Sequence, residues 1–221
     1  MSVITVGDGR GFVIAPKHNR FGKRFVLSAA HCLPWLPPAH PATYTEELTY
    51  GPLLGPLGKE PSVLAECAFV DPVADLAVLR SPDNQELSEE ADAYEALLEP
   101  MAPLEVADVG GREVLGQLLS LKGSWFSCTL QHRGGPFWIK DAKQPIQSGM
   151  SGSPILAANG AAVGVISVSG SRDYHGPNPR LIYHLPGWLL AELGVDPGSI
   201  RKDQAKARAE QRKKLLPVKL R

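Results

Sequence analysis

What most constrains the fold of this chain is its punctuation. Glycine (22) and proline (20) fall so often along the 221 residues that little uninterrupted sequence is left for long helices. Between them lie short apolar runs rich in valine, isoleucine and leucine. One series occupies residues 3–6, 11–15, 24–30, 62–70 and 75–80, and a second 112–122, 125–131, 137–140, 153–157, 161–168 and 180–185. Each has the length of a strand and is bounded by turn-forming residues. Many short strands with no helices alternating between them predict an all-β sandwich or barrel.

Three segments break this pattern. Residues 34–61, rich in proline and glycine, read as a long surface loop with one strand near 48–50. Residues 83–99 are acidic, with Ala, Leu and Tyr interspersed, and predict a short helix between the two strand series whose charge is a solvated face. At the C-terminal end, residues 186–193 place Trp188, Leu189, Leu190 and Leu193 at helical spacing, with Gly194 positioned to end the helix. From Arg201 onward the chain carries a net +7, so the first 200 residues carry −7 beneath a neutral total. Such a tail is a solvated helix, a linker to a neighbouring domain, or an electrostatic docking arm.

Composition excludes several classes. Hydrophobic residues at 43% and charged residues at 21% are ordinary for a packed domain, so wholesale disorder is ruled out. A net charge of zero gives no support to a uniformly basic nucleic-acid surface. No apolar run is long enough for a transmembrane helix, and residues 1–10 have neither the basic start nor the apolar core of a secretory signal. Cys32, Cys67 and Cys128 are odd in number and lack a short repeated spacing, which predicts reduced thiols rather than a disulfide framework or a zinc site. A cytoplasmic setting is expected on these grounds.

Three stretches carry the chemistry when taken together. An apolar run, Phe25-Val-Leu-Ser-Ala-Ala, delivers His31 at its end; Asp75 opens the run Leu-Ala-Val-Leu-Arg80; and Ser151 sits in a glycine-flanked turn, Gly149-Met-Ser-Gly-Ser-Pro154, just before another apolar run. A serine hydroxyl is a poor nucleophile at neutral pH and needs an adjacent base. Histidine suits that role, because its ordinary pKa of about 6.5 lies near working pH. A carboxylate fixes the imidazole tautomer and stabilises the imidazolium that forms. The tetrahedral intermediate then needs backbone N–H donors, and a glycine at 149 lets its own N–H and that of Ser151 converge. Each stretch alone is ordinary: a structural histidine, a turn aspartate, a glycine turn. Their order, His–Asp–Ser, at separations of 44 and 76 residues, is not.

The three stretches resemble the motifs of the trypsin/chymotrypsin-like serine peptidases, in the style of compact bacterial members such as the HtrA and glutamyl endopeptidase groups. The resemblance spans residues 3–190 or so. It implies an all-β fold of two antiparallel six-stranded β-barrels, with the active site in the cleft between them and a C-terminal helix. On this reading, residues 1–108 form the barrel carrying His31 and Asp75, with the acidic helical linker 83–99. Residues 109–185 form the barrel carrying Ser151, and 186–221 the C-terminal helix and basic tail. The resemblance further implies His31 as general base, Asp75 as its orienter, Ser151 as nucleophile, and an oxyanion hole at Gly149 and Ser151. No metal or other cofactor is expected.

Two departures from the family pattern matter. Animal members carry an aspartate just before the serine that pairs with a new N-terminal amine after zymogen cleavage. Here that position is Met150, so no amine-triggered activation is expected, and few residues precede the first strand. The family disulfide beside the histidine would need a cysteine near 11–15; none is there, and Cys32 is expected to be a small buried thiol.

Specificity follows from the same alignment. The residue six before the serine sits at the base of the primary pocket in the resembled family, where an aspartate attracts basic side chains. Here it is Pro145, followed by Ile146, so a Lys/Arg preference is not expected. Ser167, Val168 and Ser169 are expected to bind the substrate backbone. Residues 178–183 resemble the far wall of the pocket, with Arg180 in place of a glycine. If Arg180 enters the pocket it favours an acidic side chain before the cleaved bond, since its fork pairs a carboxylate; the alternative is an arginine directed to solvent.

The other histidines (His18, His40, His132, His175, His184) show no metal-ligand spacing. Trp125, Phe126, Phe137 and Trp138 are read as barrel core rather than a base-stacking platform. The expected substrate is a protein or peptide. A regulatory protein or fused domain is expected to engage the basic tail, and nothing favours a membrane or nucleic-acid partner. The competing functions are a catalytically silent binding module on the same fold and an esterase using the same triad.

Overall fold

The computed structural model describes residues 2–17, 23–40, 45–132, 135–167 and 175–196. The first strand series forms β1 (Val3–Val6), β2 (Gly9–Ile14), β3 (Phe25–Ser28), β4 (Thr49–Gly55), β5 (Val63–Asp71) and β6 (Leu76–Arg80). These close into an antiparallel barrel in the order β1-β2-β3-β6-β5-β4. The fully buried runs of β2 and β3 explain why they read as near-continuous apolar stretches: both line the barrel centre, with Phe12, Val26 and Leu27 completely enclosed.

Helix α1 (Ser88–Leu98) follows, within the acidic segment expected to be helical. Its Tyr94 is fully buried and places its hydroxyl between the carbonyl oxygens of Arg24 and Leu79, at 3.0 and 3.3 Å. The acidic residues Glu89, Glu90, Asp92 and Glu95 carry its charge, while Ala91, Tyr94 and Leu98 turn to the core.

The second series forms β7 (Glu113–Leu119), β8 (Trp125–His132), β9 (Phe137–Lys140), β10 (Pro154–Ala157), β11 (Ala162–Val165) and β12 (His175–Asn178), in the order β11-β10-β7-β8-β9-β12. Its two outer strands are drawn together just past β12. Gly164 forms an antiparallel bridge with Arg180, and Val165 donates its N–H to the Pro179 oxygen at 3.3 Å. The result is a second six-stranded, barrel-like unit with its own core of Phe126, Leu130, Phe137, Ile139, Met150 and Ile155.

After β12 come α2 (Leu181–His184) and α3 (Gly187–Glu192). Leu181, Leu189, Leu190 and Leu193 join a core that runs from the first barrel to Leu119, Leu156, Ala162 and Val165 of the second sheet. The Lys17 N–H donates to the Glu192 oxygen at 3.1 Å, and Phe25 meets Trp188 at 5.7 Å between ring centroids. The C-terminal helix therefore clasps the two barrels together.

Several expectations are corrected. The run 180–185, read as a strand, is the short helix α2, because its spacing of Leu181, Ile182 and Leu185 buries one helical face. The loop preceding it holds an unanticipated strand, β12, which pairs with β9 despite its glycine and proline. Residues 34–61 contain a seven-residue strand where only 48–50 was expected; β4 tolerates Pro52 because its register shifts between Tyr50 and Leu54. Trp125 is 42% exposed and Trp138 half-buried, so only Phe126 and Phe137 of the four aromatics belong to the core.

Candidate active site

Strand β3 brings its buried chain to Ala29 and Ala30, small enough to stay enclosed, and a 3-10 turn (Ala30–Cys32) then lifts His31 into solvent. The β5–β6 turn delivers Asp75 opposite. Asp71 Oδ1 accepts the N–H groups of Val73 and Ala74, both at 3.0 Å, and so nucleates that turn. Asp75 itself lies at φ 58°, a left-handed conformation that aspartate tolerates better than most residues.

Asp75 accepts three hydrogen bonds. Oδ1 takes the backbone N–H of His31 at 2.9 Å; Oδ2 takes His31 Nδ1 at 2.7 Å and the hydroxyl of Ser167. A carboxylate partner puts the ring proton on Nδ1 and leaves the Nε2 lone pair available. Ser167, from the second barrel, thus holds the aspartate of the first. It follows β11 directly and is nearly buried, and its N–H donates to Oδ1 of the fully buried Asn178 at 2.9 Å.

Ser151 sits between the barrels. Its carbonyl accepts the Arg10 N–H of β2 at 2.8 Å, and the next N–H, of Gly152, donates to the Ile166 oxygen at 2.7 Å. Gly152 leaves no alternative residue at its position: a Cβ there would lie 1.8 Å from the Arg10 oxygen, and its φ is +80°. The turn before Ser151 is closed by Met150 N–H to Gln147 oxygen at 3.1 Å, with Gly149 third at φ +84°, as a type II turn demands. Neither the Gly149 nor the Ser151 N–H is used by another backbone group among the described residues. Ser151 Oγ likewise forms no hydrogen bond to His31 in this state.

Met150 is 1% exposed and lies in the second core, its Sδ 3.3 Å from the Gln147 N–H. An apolar anchor thus holds this turn from beneath. Cys32 is buried and unpaired, and burial pushes its thiol up to about 11. The β2 residue facing its Sγ is Gly9, whose Cβ would lie 2.5 Å away, so the space of a second sulfur is filled by Cys32 itself.

The specificity residues are dispersed. Pro145 is exposed, Ile146 is buried in the second core, and Val168 and Ser169 lie outside the described residues, as do His18 and the basic tail from Arg201. Arg180 requires correction. It neither offers a free guanidinium to a pocket nor points to solvent. It is 5% exposed, ion-paired with Asp108, and stacked on Phe137 and Tyr183 at 5.2 and 4.6 Å. Its neighbour His132, half-buried and 3.4 Å away, is pushed down to about 4 by burial and by the Arg180 charge. Sequence spacing gave no hint of this cluster, because Asp108, His132 and Arg180 lie far apart along the chain. Arg10 was also missed; it lines a cleft with Gly149 and falls between the two apolar runs 3–6 and 11–15, where nothing in the pattern singled it out.

No protein-family model matches the chain, and no curated relative does. Among solved structures, Rv3671c from M. tuberculosis H37Rv, a serine-to-alanine mutant in an inactive form, is 20% identical with a TM-score of 0.50, over 87% of this chain and 86% of that one. A second inactive form of the Rv3671c protease gives 19% identity and a TM-score of 0.50, over 88% and 89% of the two chains. A human pathogenic astrovirus serine protease, at 15% identity and a TM-score of 0.48 over 80% and 86%, is too distant to add to the argument. With one closed six-stranded barrel and a second six-stranded, barrel-like sheet, the chain has the double-barrel fold of the chymotrypsin-like serine proteases.

Proposed function

We propose that this chain is a serine endopeptidase that cleaves peptide bonds through an acyl-enzyme. The observation that carries the reading is the grip on His31: Asp75 holds both its ring Nδ1 and its backbone N–H, and Ser167 holds Asp75 from the other barrel. A histidine fixed this way presents Nε2 as a base with its orientation already set. Ser151 Oγ gives its proton to Nε2 as it attacks the carbonyl carbon. The resulting oxyanion is received by the N–H groups of Gly149 and Ser151. The imidazolium then protonates the departing amine, and a water repeats the sequence to release the acid. The Ser151–His31 bond forms as substrate closes the site, since such bonds commonly tighten only in the substrate complex.

Met150 supports a site that needs no new N-terminal amine, because its buried side chain fills the place of an ion pair with packing. The uncharged Pro145 supports a preference other than Lys or Arg before the cleaved bond. An acidic preference loses its basis, since the Arg180 charge is already met by Asp108. A peptide panel with Asp, Glu, Leu and Lys at that position is expected to show no gain for Asp over Leu. Ser151→Ala is expected to abolish cleavage, and ester turnover without peptide cleavage would assign the same triad to an esterase.

A second reading is a catalytically silent binding module on the same fold. It predicts no turnover of any peptide or ester by folded protein. Control by a partner or fused domain through the basic tail from Arg201 is part of the proposal and rests on charge asymmetry. Truncation after Ser199 that leaves activity and association unchanged would remove it. A reducing, cytoplasmic setting is supported by three buried thiols that are all unpaired.

A further inference from the structure

The geometry points to a carboxylate-binding subsite on the leaving-group side of Ser151, built around the guanidinium of Arg10. The inference rests on the peptidase reading for its placement along a substrate, but the site itself is a matter of charge and donors.

Arg10 is a partly enclosed cation with no anion beside it among the described residues. Its side chain leaves β2 of the first barrel, is 5% exposed, and donates from Nη1 to the carbonyl oxygens of Leu119 and Ser120 at the end of β7, both at 3.1 Å. Those acceptors are neutral. No carboxylate among the described residues lies within ion-pair distance of it, in contrast to Arg80 and Arg180, which are paired with Glu66 and Asp108. Burial disfavours the charged form, yet a guanidinium does not surrender its proton under ordinary conditions. A partly desolvated charge of this kind, bonded only to neutral carbonyls, is stabilised by an anion that reaches its free donors.

The unused donors have the shape of their missing partner. With Nη1 committed to two carbonyls, the N–H groups of Nε and Nη2 have no partner among the described residues. Together they form the side-on fork that receives both oxygens of a carboxylate. Arg10 lines a cleft of about 690 Å3 that also takes in Gly9, Gly149, Asp8, Glu60, Lys59 and Lys122. The last four are exposed and offset one another in charge, which leaves Arg10 as the uncompensated group.

The position of the cleft assigns its side of the scissile bond. The serine turn is pinned on one flank to Ile166, through Gly152, and on the other to Arg10, through Ser151. Ser167, next to Ile166, opens the segment expected to hold the acyl part of a substrate. The Arg10 flank is therefore where the departing amine and the residues after it must run. A carboxylate arriving there is either an Asp or Glu side chain shortly after the cleaved bond or the free C-terminus of a short leaving segment.

The test is a set of peptides matched except for Glu or Gln at each of the first three positions after the cleaved bond, each made with a free and with an amidated C-terminus. Wild-type kcat/KM is expected to rise tenfold or more for a carboxylate over its amide at one position. A gain that follows Glu identifies the side chain as the source; a gain that follows the free terminus identifies the terminus. Arg10→Gln is expected to erase the gain and Arg10→Lys to keep part of it. Equal rates for every matched pair, or a gain that survives Arg10→Gln, overturns the subsite while leaving the peptidase reading intact. Should no peptide be cleaved, calorimetric titration of the same peptides decides the subsite alone: acids binding tenfold more tightly than amides support it, and equal affinities overturn it. The comparison within the wild type stands even if neither variant folds.

Discussion

At the scale of single residues, Asp75 has two tasks, closing a turn at φ 58° and holding His31 at 2.7 Å. Asparagine tolerates the same backbone conformation, so Asp75→Asn separates them. We predict an unchanged fold by circular dichroism with kcat lowered about 10³–10⁴-fold, because an amide neither fixes the Nδ1 tautomer nor stabilises the imidazolium. Met150→Asp tests the apolar anchor. A carboxyl at a position 1% exposed, among Ile146, Ile155 and Ile166, has no cation to meet it. The expected cost is about 2–4 kcal/mol in urea denaturation at neutral pH, shrinking as the pH is lowered and the carboxyl is neutralised.

At the scale of elements, the C-terminal helix is a structural clasp rather than an appendage. Leu189 of α3 is fully enclosed in the core shared by the first barrel and the inner face of the second sheet, so Leu189→Ala should cost about 2–5 kcal/mol by denaturant unfolding. The contrast between legible and hidden elements has a physical pattern. Strands such as β2, β3 and β6 are buried on both faces and read as unbroken apolar runs. By contrast, β4 and β12 were obscured by prolines that tertiary pairing accommodates, in β4 through a shift of register. The short helix α2 has the composition of a strand, and only its partners in the core decide its form. For the candidate site, the proposed residues are those carried by local motifs: His31 at a strand end, Asp75 at a strand start, Ser151 between glycines. Pairings made across the fold, Asp75 with Ser167 and Asp108 with Arg180, have no local signature. Nor does the position of Arg10 against Leu119 and Ser120 in the other barrel.

At the scale of the whole molecule, the second barrel carries a built-in acid sensitivity. Burial and the Arg180 charge hold His132 down to about 4, against about 6.5 for an unfolded histidine. Between those values the unfolded chain takes up a proton that the folded chain refuses, so the stabilisation is complete above about pH 6.5 and declines as the pH falls toward 4. His132→Phe, which keeps a ring beside Phe137, should lose less Tm between pH 7.5 and pH 5 than the wild type; an equal loss would assign the sensitivity to other groups. The proposed chemistry is divided between the two barrels, the first supplying His31 and Asp75 and the second Ser151 and Ser167, and it requires that they assemble one reactive centre. Labelling the folded chain and its Ser151→Ala variant with a fluorophosphonate, and locating the adduct by mass spectrometry, tests this directly. One adduct per chain, on Ser151, and none in the variant is the expected result; a folded wild type that stays unlabelled, or equal labelling of the variant, contradicts the assignment of Ser151 as nucleophile.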